Sequence, residues 1–160
     1  MFEAAILGII QGITEFFPVS STAHLIVLPW FLKWSGQVNT LSFDIALHAG
    51  TLISLIICFR GDIGEMFSKN RKLVFFIAFA TLPAVAAGLY FHDSVEGRLR
   101  DPYIISLMLV VFGVVMLISE RFKKKKDMKG IRFFNALFIG IAQAIAIVPG
   151  VSRSGITISA

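Results

Sequence analysis

Cysteine is nearly absent. Cys58 is the only one in 160 residues, so the chain can build neither a disulfide framework nor a cysteine cluster for zinc or iron. Charge is scarce as well: Asp, Glu, Lys and Arg make up 16% of the residues, well below the share usual in a soluble domain. No basic stretch precedes the first apolar run, whose first charge is Glu3, so a cleaved signal peptide is not expected. What fills the chain instead is apolar. Hydrophobic residues make up 56%, sixteen of them Phe, and the mean hydropathy is +0.81. This is the composition of an integral membrane protein. A net charge of +5 could suit nucleic acid, but the Lys and Arg residues are concentrated in two short loops between apolar runs. That pattern is membrane topology, and no nucleic-acid partner is expected.

A helix needs about 20 residues to cross a hydrocarbon core of roughly 30 Å. Three runs fit, at residues 41–59, 73–91 and 102–118. Two others, 2–17 and 133–148, are too short and carry polar residues or the Pro149-Gly150 break, so they read as half-helices that stop inside the membrane. Loop 60–72 carries Arg60, Lys69, Arg71 and Lys72, and loop 119–132 carries Arg121, Lys123, Lys124, Lys125, Lys126, Lys129 and Arg132. These 4 + 7 = 11 cations lie on one side, against Lys33, Arg98 and Arg100 on the other, which makes the first side cytoplasmic.

Shifting the chain by 132 positions lays residues 2–26 over 134–158 without a gap. Phe2/Phe134, Ala4/Ala136, Gly8/Gly140, Ile9/Ile141, Gln11/Gln143, Ile13/Ile145, Val19/Val151, Ser20/Ser152 and Ile26/Ile158 coincide. An odd number of crossings separates the copies, so the repeat is inverted, and inverted pairs of interrupted segments meet near the bilayer midplane. The expected fold is an all-α polytopic integral membrane protein with inverted repeats and re-entrant helical hairpins. It forms a single membrane domain over 1–160: a first re-entrant segment at 1–32, three spans within 41–118, and the start of a second re-entrant segment at 133–160.

The turn of each copy concentrates the polar residues. In EFFPVSSTAH, Glu15 lies i+4 from Gln11, so the two share a helix face. A carboxylate at membrane depth marks a functional site, unless Glu15 sits in interfacial water. After Pro18 come Ser20, Ser21, Thr22 and His24; the hydroxyls also suit ordinary helix capping. In PGVSRSGIT, Arg153 stands between Ser152 and Ser154, with Thr157 beyond. Guanidinium, hydroxyls and exposed N–H groups make an anion cradle; the alternative is an arginine snorkelling to the cytoplasm. A carboxylate together with phosphate oxygens is the usual setting for Mg²⁺ or Ca²⁺, and serine near histidine suits nucleophilic attack with proton transfer. Asp44 and His48, also i, i+4, read as a mutually satisfied polar pair near the outer mouth.

Gln11-x-x-x-Glu15, FPVSSTAH and PGVSRSGIT, with FDIALHAGTL and LPAVAAGLYF between them, resemble the undecaprenyl-diphosphate phosphatase family of the bacitracin-resistance type. The resemblance covers essentially the whole chain. It implies a bacterial inner-membrane hydrolase that converts undecaprenyl diphosphate to undecaprenyl phosphate and inorganic phosphate, recycling the lipid carrier for cell-wall synthesis with a divalent cation. By motif, Glu15 is the metal-binding and catalytic acid with Gln11 beside it. Ser21 is the nucleophile, His24 its proton partner, and Arg153 the phosphate clamp. Ser20, Thr22, Ser152, Ser154 and Thr157 help to bind the substrate. Gln11 stands where some relatives carry Glu, which shifts the metal burden to Glu15. The expected partners are the membrane and a polyprenyl diphosphate, with a homodimer as one assembly and a site open to the periplasm or exterior. Relatives of this kind run on past the position of Ala160, so a C-terminal truncation is expected. Two other readings stay open at this stage: a transporter or flippase for an anionic or lipid-linked phosphate, and an inactive fragment.

Overall fold

The computed structural model describes residues 1–17, 19–119, 121 and 133–159. Pro18, which as a proline would end the first half-helix, and most of the cations counted in loop 119–132 lie outside the described residues. The helices, in chain order, are α1 (Phe2–Thr14), α2 (Ser21–Phe31), α3 (Leu41–Cys58), α4 (Arg60–Lys69), α5 (Arg71–Tyr90), α6 (His92–Glu96), α7 (Pro102–Ser119), α8 (Phe133–Ile145) and α9 (Arg153–Ser159). No strand occurs among the described residues.

Among the described residues three helices are long and apolar enough to cross a membrane: α3, α5 and α7, with 18, 20 and 18 residues. At a rise of about 1.5 Å per residue they approach the thickness of the hydrocarbon core. Each starts where the sequence supplies a partner for an orphan amide. Thr40 Oγ1 accepts from the Phe43 N–H at 3.3 Å, Asn70 Oδ1 from the Leu73 N–H at 3.3 Å, and Asp101 Oδ1 from the Tyr103 N–H at 2.8 Å. Pro102 adds a preset φ at the first position of α7, where its missing N–H costs nothing. Only 6% of each crossing window is buried inside the protein. Such apolar exposure is untenable in water and ordinary in lipid; this is an all-α membrane protein.

The helices α1, α2 and α8 have 13, 11 and 13 residues, too few to span. They form two helix–turn–helix hairpins, α1–α2 and α8–α9. The shift of 132 found in the sequence reappears in the fold: Ser21, the first residue of α2, falls on Arg153, the first of α9, and the bounds of α1 fall within one residue of those of α8. The turns differ in detail. The first places its positive φ on Ser20 (62°), the second on Gly150 (99°).

Packing centres on α2. Leu7 of α1, Leu25 of α2 and Val38 form one buried cluster, ringed by Ala4, Leu28, Trp34, Phe43 and Leu47. Ala23 and Ile26 meet Ile105 of α7 in another. An edge-to-face pair, Trp30 with Tyr103 at 5.4 Å, joins the end of α2 to the start of α7. The second hairpin rests on α5, the most extensive helix contact among the described residues. Gly140 makes that contact close: a Cβ there would lie 2.5 Å from the Ala80 carbonyl oxygen. Gly150 is likewise required, because its φ is left-handed and a Cβ would lie 2.7 Å from the Ile105 carbonyl oxygen of α7.

Candidate active site

The two hairpin turns meet beside the middle of α5 and border an open cavity of about 610 Å³. The first turn contributes Thr14, Glu15, Ser20, Ser21 and Thr22, and the second contributes Ser152, Arg153, Ser154 and Thr157. Thr81, Ala84 and Val85 of α5 and Gln143 of α8 complete the wall together with apolar residues of the second turn. Among the described residues, Glu15 and Arg153 are the only charged ones on this lining. One carboxylate and one guanidinium, on opposite copies of the repeat, therefore face a single shared cavity.

Glu15 is held from several directions. Its Oε2 accepts from Gln11 Nε2 at 3.0 Å and from Ser21 Oγ at 2.6 Å, and His48 Nε2 of α3 lies 3.5 Å away. The Ser21 bond is short because an ionised acceptor strengthens it. The 2.6 Å contact aligns the hydroxyl proton with a base.

His24 differs from expectation. Its Nδ1 lies 2.9 Å from the Ser20 carbonyl oxygen; a carbonyl only accepts, so Nδ1 carries the proton and Nε2 is the free nitrogen. The Ser21 hydroxyl is turned back toward Glu15, and His24 lies off the cavity lining. Asp44 and His48 are not the mutually satisfied side-chain pair that their spacing suggested. The Asp44 carboxylate bonds Arg100 Nη2 at 2.6 Å, while His48 Nδ1 donates to the Asp44 main-chain oxygen at 2.8 Å. This arrangement turns His48 Nε2 to Glu15. Arg100 is 56 residues from Asp44, a separation at which no local pattern signals a pair.

In the second turn Ser152 is a helix cap: its Oγ accepts from the Gly155 N–H at 3.1 Å and lies 3.2 Å from Ser154 Oγ. Thr157 Oγ1 donates to the carbonyls of Arg153 and Ser154 at 2.9 and 3.0 Å. These bonds fix the turn around Arg153, whose guanidinium has no ion-pair partner among the described residues. Of the residues singled out in the sequence, Glu15, Ser20, Ser21, Thr22, Ser152, Arg153, Ser154 and Thr157 line the cavity, whereas Gln11, which stands behind Glu15, His24, Asp44 and His48 do not. The sequence reading missed Thr14, Thr81 and Gln143 as wall residues. Gln143 could have been found, since the repeat pairs it with Gln11.

The donor chemistry fits a divalent cation at Glu15. Gln11 is 1% exposed, and its Oε1 is buried without a hydrogen-bond partner, next to a carboxylate whose second oxygen is not taken up by these bonds. Among the described residues no three His, Cys, Asp or Glu side chains converge. The fit is thus to an ion that completes its shell with water and phosphate oxygens, as Mg²⁺ does, rather than to a closed protein cage.

The family described as bacitracin resistance protein BacA matches residues 4–160. An undecaprenyl-diphosphatase of Thermodesulfovibrio yellowstonii is 56% identical over 160 residues, covering 100% of this chain and 62% of that protein. Another, from Desulforudis audaxviator, is 40% identical over 99% of this chain and 63% of the relative. A third, from Geobacter sulfurreducens, is 41% identical over 100% of this chain and 64% of the relative. The chain thus spans less than two thirds of the length of these relatives.

Proposed function

The chain belongs to the bacitracin resistance protein BacA family, and from that premise we propose that it acts as a membrane-embedded undecaprenyl-diphosphate phosphatase. The products are undecaprenyl phosphate and inorganic phosphate, and the lipid carrier is thereby recycled for peptidoglycan synthesis. One observation carries the reading: a serine hydroxyl hydrogen-bonded to a carboxylate at 2.6 Å shares its cavity with an arginine from the opposite repeat. Nucleophile, base and phosphate clamp are the three parts that phosphoryl transfer requires.

In this reading Arg153 grips the terminal phosphate with paired N–H donors. Ser21 Oγ attacks the terminal phosphorus. As the Oγ–P bond forms, the hydroxyl proton moves to Glu15 Oε2 along the existing hydrogen bond. The bridging P–O bond breaks and its electron pair leaves with undecaprenyl phosphate. Water then attacks the phosphoserine phosphorus, the Oγ–P bond breaks, Glu15 returns its proton to the Ser21 oxygen, and inorganic phosphate leaves with both protons of the water. We assign the Ser21 proton to Glu15 because the geometry supplies that bond; His24, held by the Ser20 carbonyl and off the cavity lining, takes no part in that transfer. Gln11 and Glu15 would hold a divalent cation, which when bound supplies Lewis-acid neutralisation of phosphate charge. Ser20, Thr22, Ser152, Ser154 and Thr157 surround the headgroup with hydroxyls. The bacterial inner membrane, with the cavity mouth outward, is the location proposed. Lys and Arg crowd the loops away from the first hairpin, which supports that orientation.

The test is release of inorganic phosphate from a prenyl diphosphate by the purified chain in detergent with Mg²⁺ or Ca²⁺. Release by the wild type and release slowed by roughly 10²–10⁴-fold in Glu15→Gln supports the reading. Binding of the lipid without release under either metal would instead favour a carrier.

A further inference from the structure

The internal repeat pairs Gln143 with Gln11, and their surroundings differ in one respect. Gln11 donates its amide to the carboxylate four residues on, Glu15. Four residues on from Gln143 stands Ile147, whose side chain accepts nothing. Among the described residues the Gln143 amide has no hydrogen-bond partner, yet it is partly buried and lines the cavity that also holds Ser21 and Arg153. Its neighbours on the lining, Ala146 and Ile147, are apolar. The hydroxyl of Thr81, on the facing helix α5, is already donated to the Ile77 carbonyl at 2.8 Å. Because the residue lines the cavity, the amide's two donors are open to whatever ligand fills that space. The cavity's arginine sets the chemistry of that ligand as anionic.

We propose that Gln143 is a substrate-binding residue: its N–H₂ donates to diphosphate oxygens, which stand where the second repeat has no counterpart of the Glu15 carboxylate. The amide offers two donors and no charge, so it adds grip on the headgroup without forming an ion pair with Glu15. The assignment rests on the phosphatase reading of the cavity and deepens it by naming a headgroup contact on the α8 wall.

Titration calorimetry with inorganic diphosphate and Mg²⁺, on the purified chain in lipid nanodiscs, tests it with wild type, Gln143→Leu and Gln143→Glu. Hydrogen bonds to charged groups set the scale: Gln143→Leu weakens diphosphate binding about tenfold. Gln143→Glu weakens it further, since it places like charge against the ligand. With a prenyl diphosphate, KM rises in parallel and kcat changes little, the signature of lost ground-state binding. A wild type that neither binds diphosphate nor releases phosphate sinks the phosphatase reading itself. A wild type that binds, with both variants binding equally well, overturns the Gln143 assignment alone. Should Gln143→Leu fail to fold, Gln143→Glu decides, because it preserves the shape.

Discussion

Arg100 reaches across from the turn just before α7 to place its Nη2 2.6 Å from Asp44 Oδ2 at the start of α3. The pair is deeply set, with the Asp44 side chain 4% exposed and that of Arg100 18%. One turn further along α3, His48 hangs from the Asp44 main chain and faces Glu15. The ion pair therefore fixes the helix that forms the back of the acid's pocket.

Breaking that pair from one side should be expensive. Arg100→Met leaves a buried carboxylate without its cation and is expected to cost roughly 3–5 kcal/mol. Asp44→Asn combined with Arg100→Met should recover part of the loss. Thermal melts of the single and double variants in one detergent, read as a double-mutant cycle, give the coupling. Additive effects would show that the pair contributes little.

Ser21→Ala and Glu15→Gln remove the two ends of the shortest hydrogen bond in the cavity. Ser21→Ala should abolish turnover, and Glu15→Gln should lower kcat by roughly 10²–10⁴-fold, the usual contribution of a positioned base. Phosphate release in single-turnover assays checks both. If Ser21→Ala keeps full activity, water rather than serine is the nucleophile.

Arg153→Lys keeps the charge but gives up the planar fork of donors. Its KM for a prenyl diphosphate should rise by about tenfold or more, since lysine meets phosphate as a point charge. Melting should be almost unchanged, because Arg153 is exposed to the cavity. A parallel fall in stability would mark the residue as structural instead.

Gly150→Ala acts on the turn that delivers Arg153. At φ 99°, and with a Cβ 2.7 Å from the Ile105 carbonyl oxygen, alanine brings both backbone strain and a clash with main-chain atoms that cannot rotate away. A loss of roughly 1–3 kcal/mol is expected from the strain alone. Gly12→Ala, where a Cβ meets nothing within 4 Å, is the control and should be neutral or slightly stabilising. Melting temperatures of the two variants check the contrast.

The periodic apolar runs made the three long helices legible in the sequence, to within two residues at their ends, because apolar length alone decides what can cross a bilayer. The repeat likewise announced both hairpins, whose polar turn residues Glu15, Ser21 and Arg153 the fold brings to one cavity. The Ser21 partner was not legible. Serine and histidine three apart on a helix look like a couple, but the chain turns before Ser20, aiming the Ser21 hydroxyl back at α1, while His24 Nδ1 is held by the Ser20 carbonyl. Nor could local spacing show that Asp44 belongs to Arg100. Such a contact depends on how α3 and α7 lie against each other, which only tertiary packing fixes.

Where α8 crosses α5, main chain meets main chain at Gly140 and Ala80. The next residue on one helix is Thr81, and a turn further along the other is Gln143, both on the cavity wall. That side of the chamber is gauged by peptide backbone, so rotamer changes cannot widen it. Any side chain larger than hydrogen at position 140 would act as a wedge, prying the two walls apart and slackening the grip on whatever headgroup lies between them.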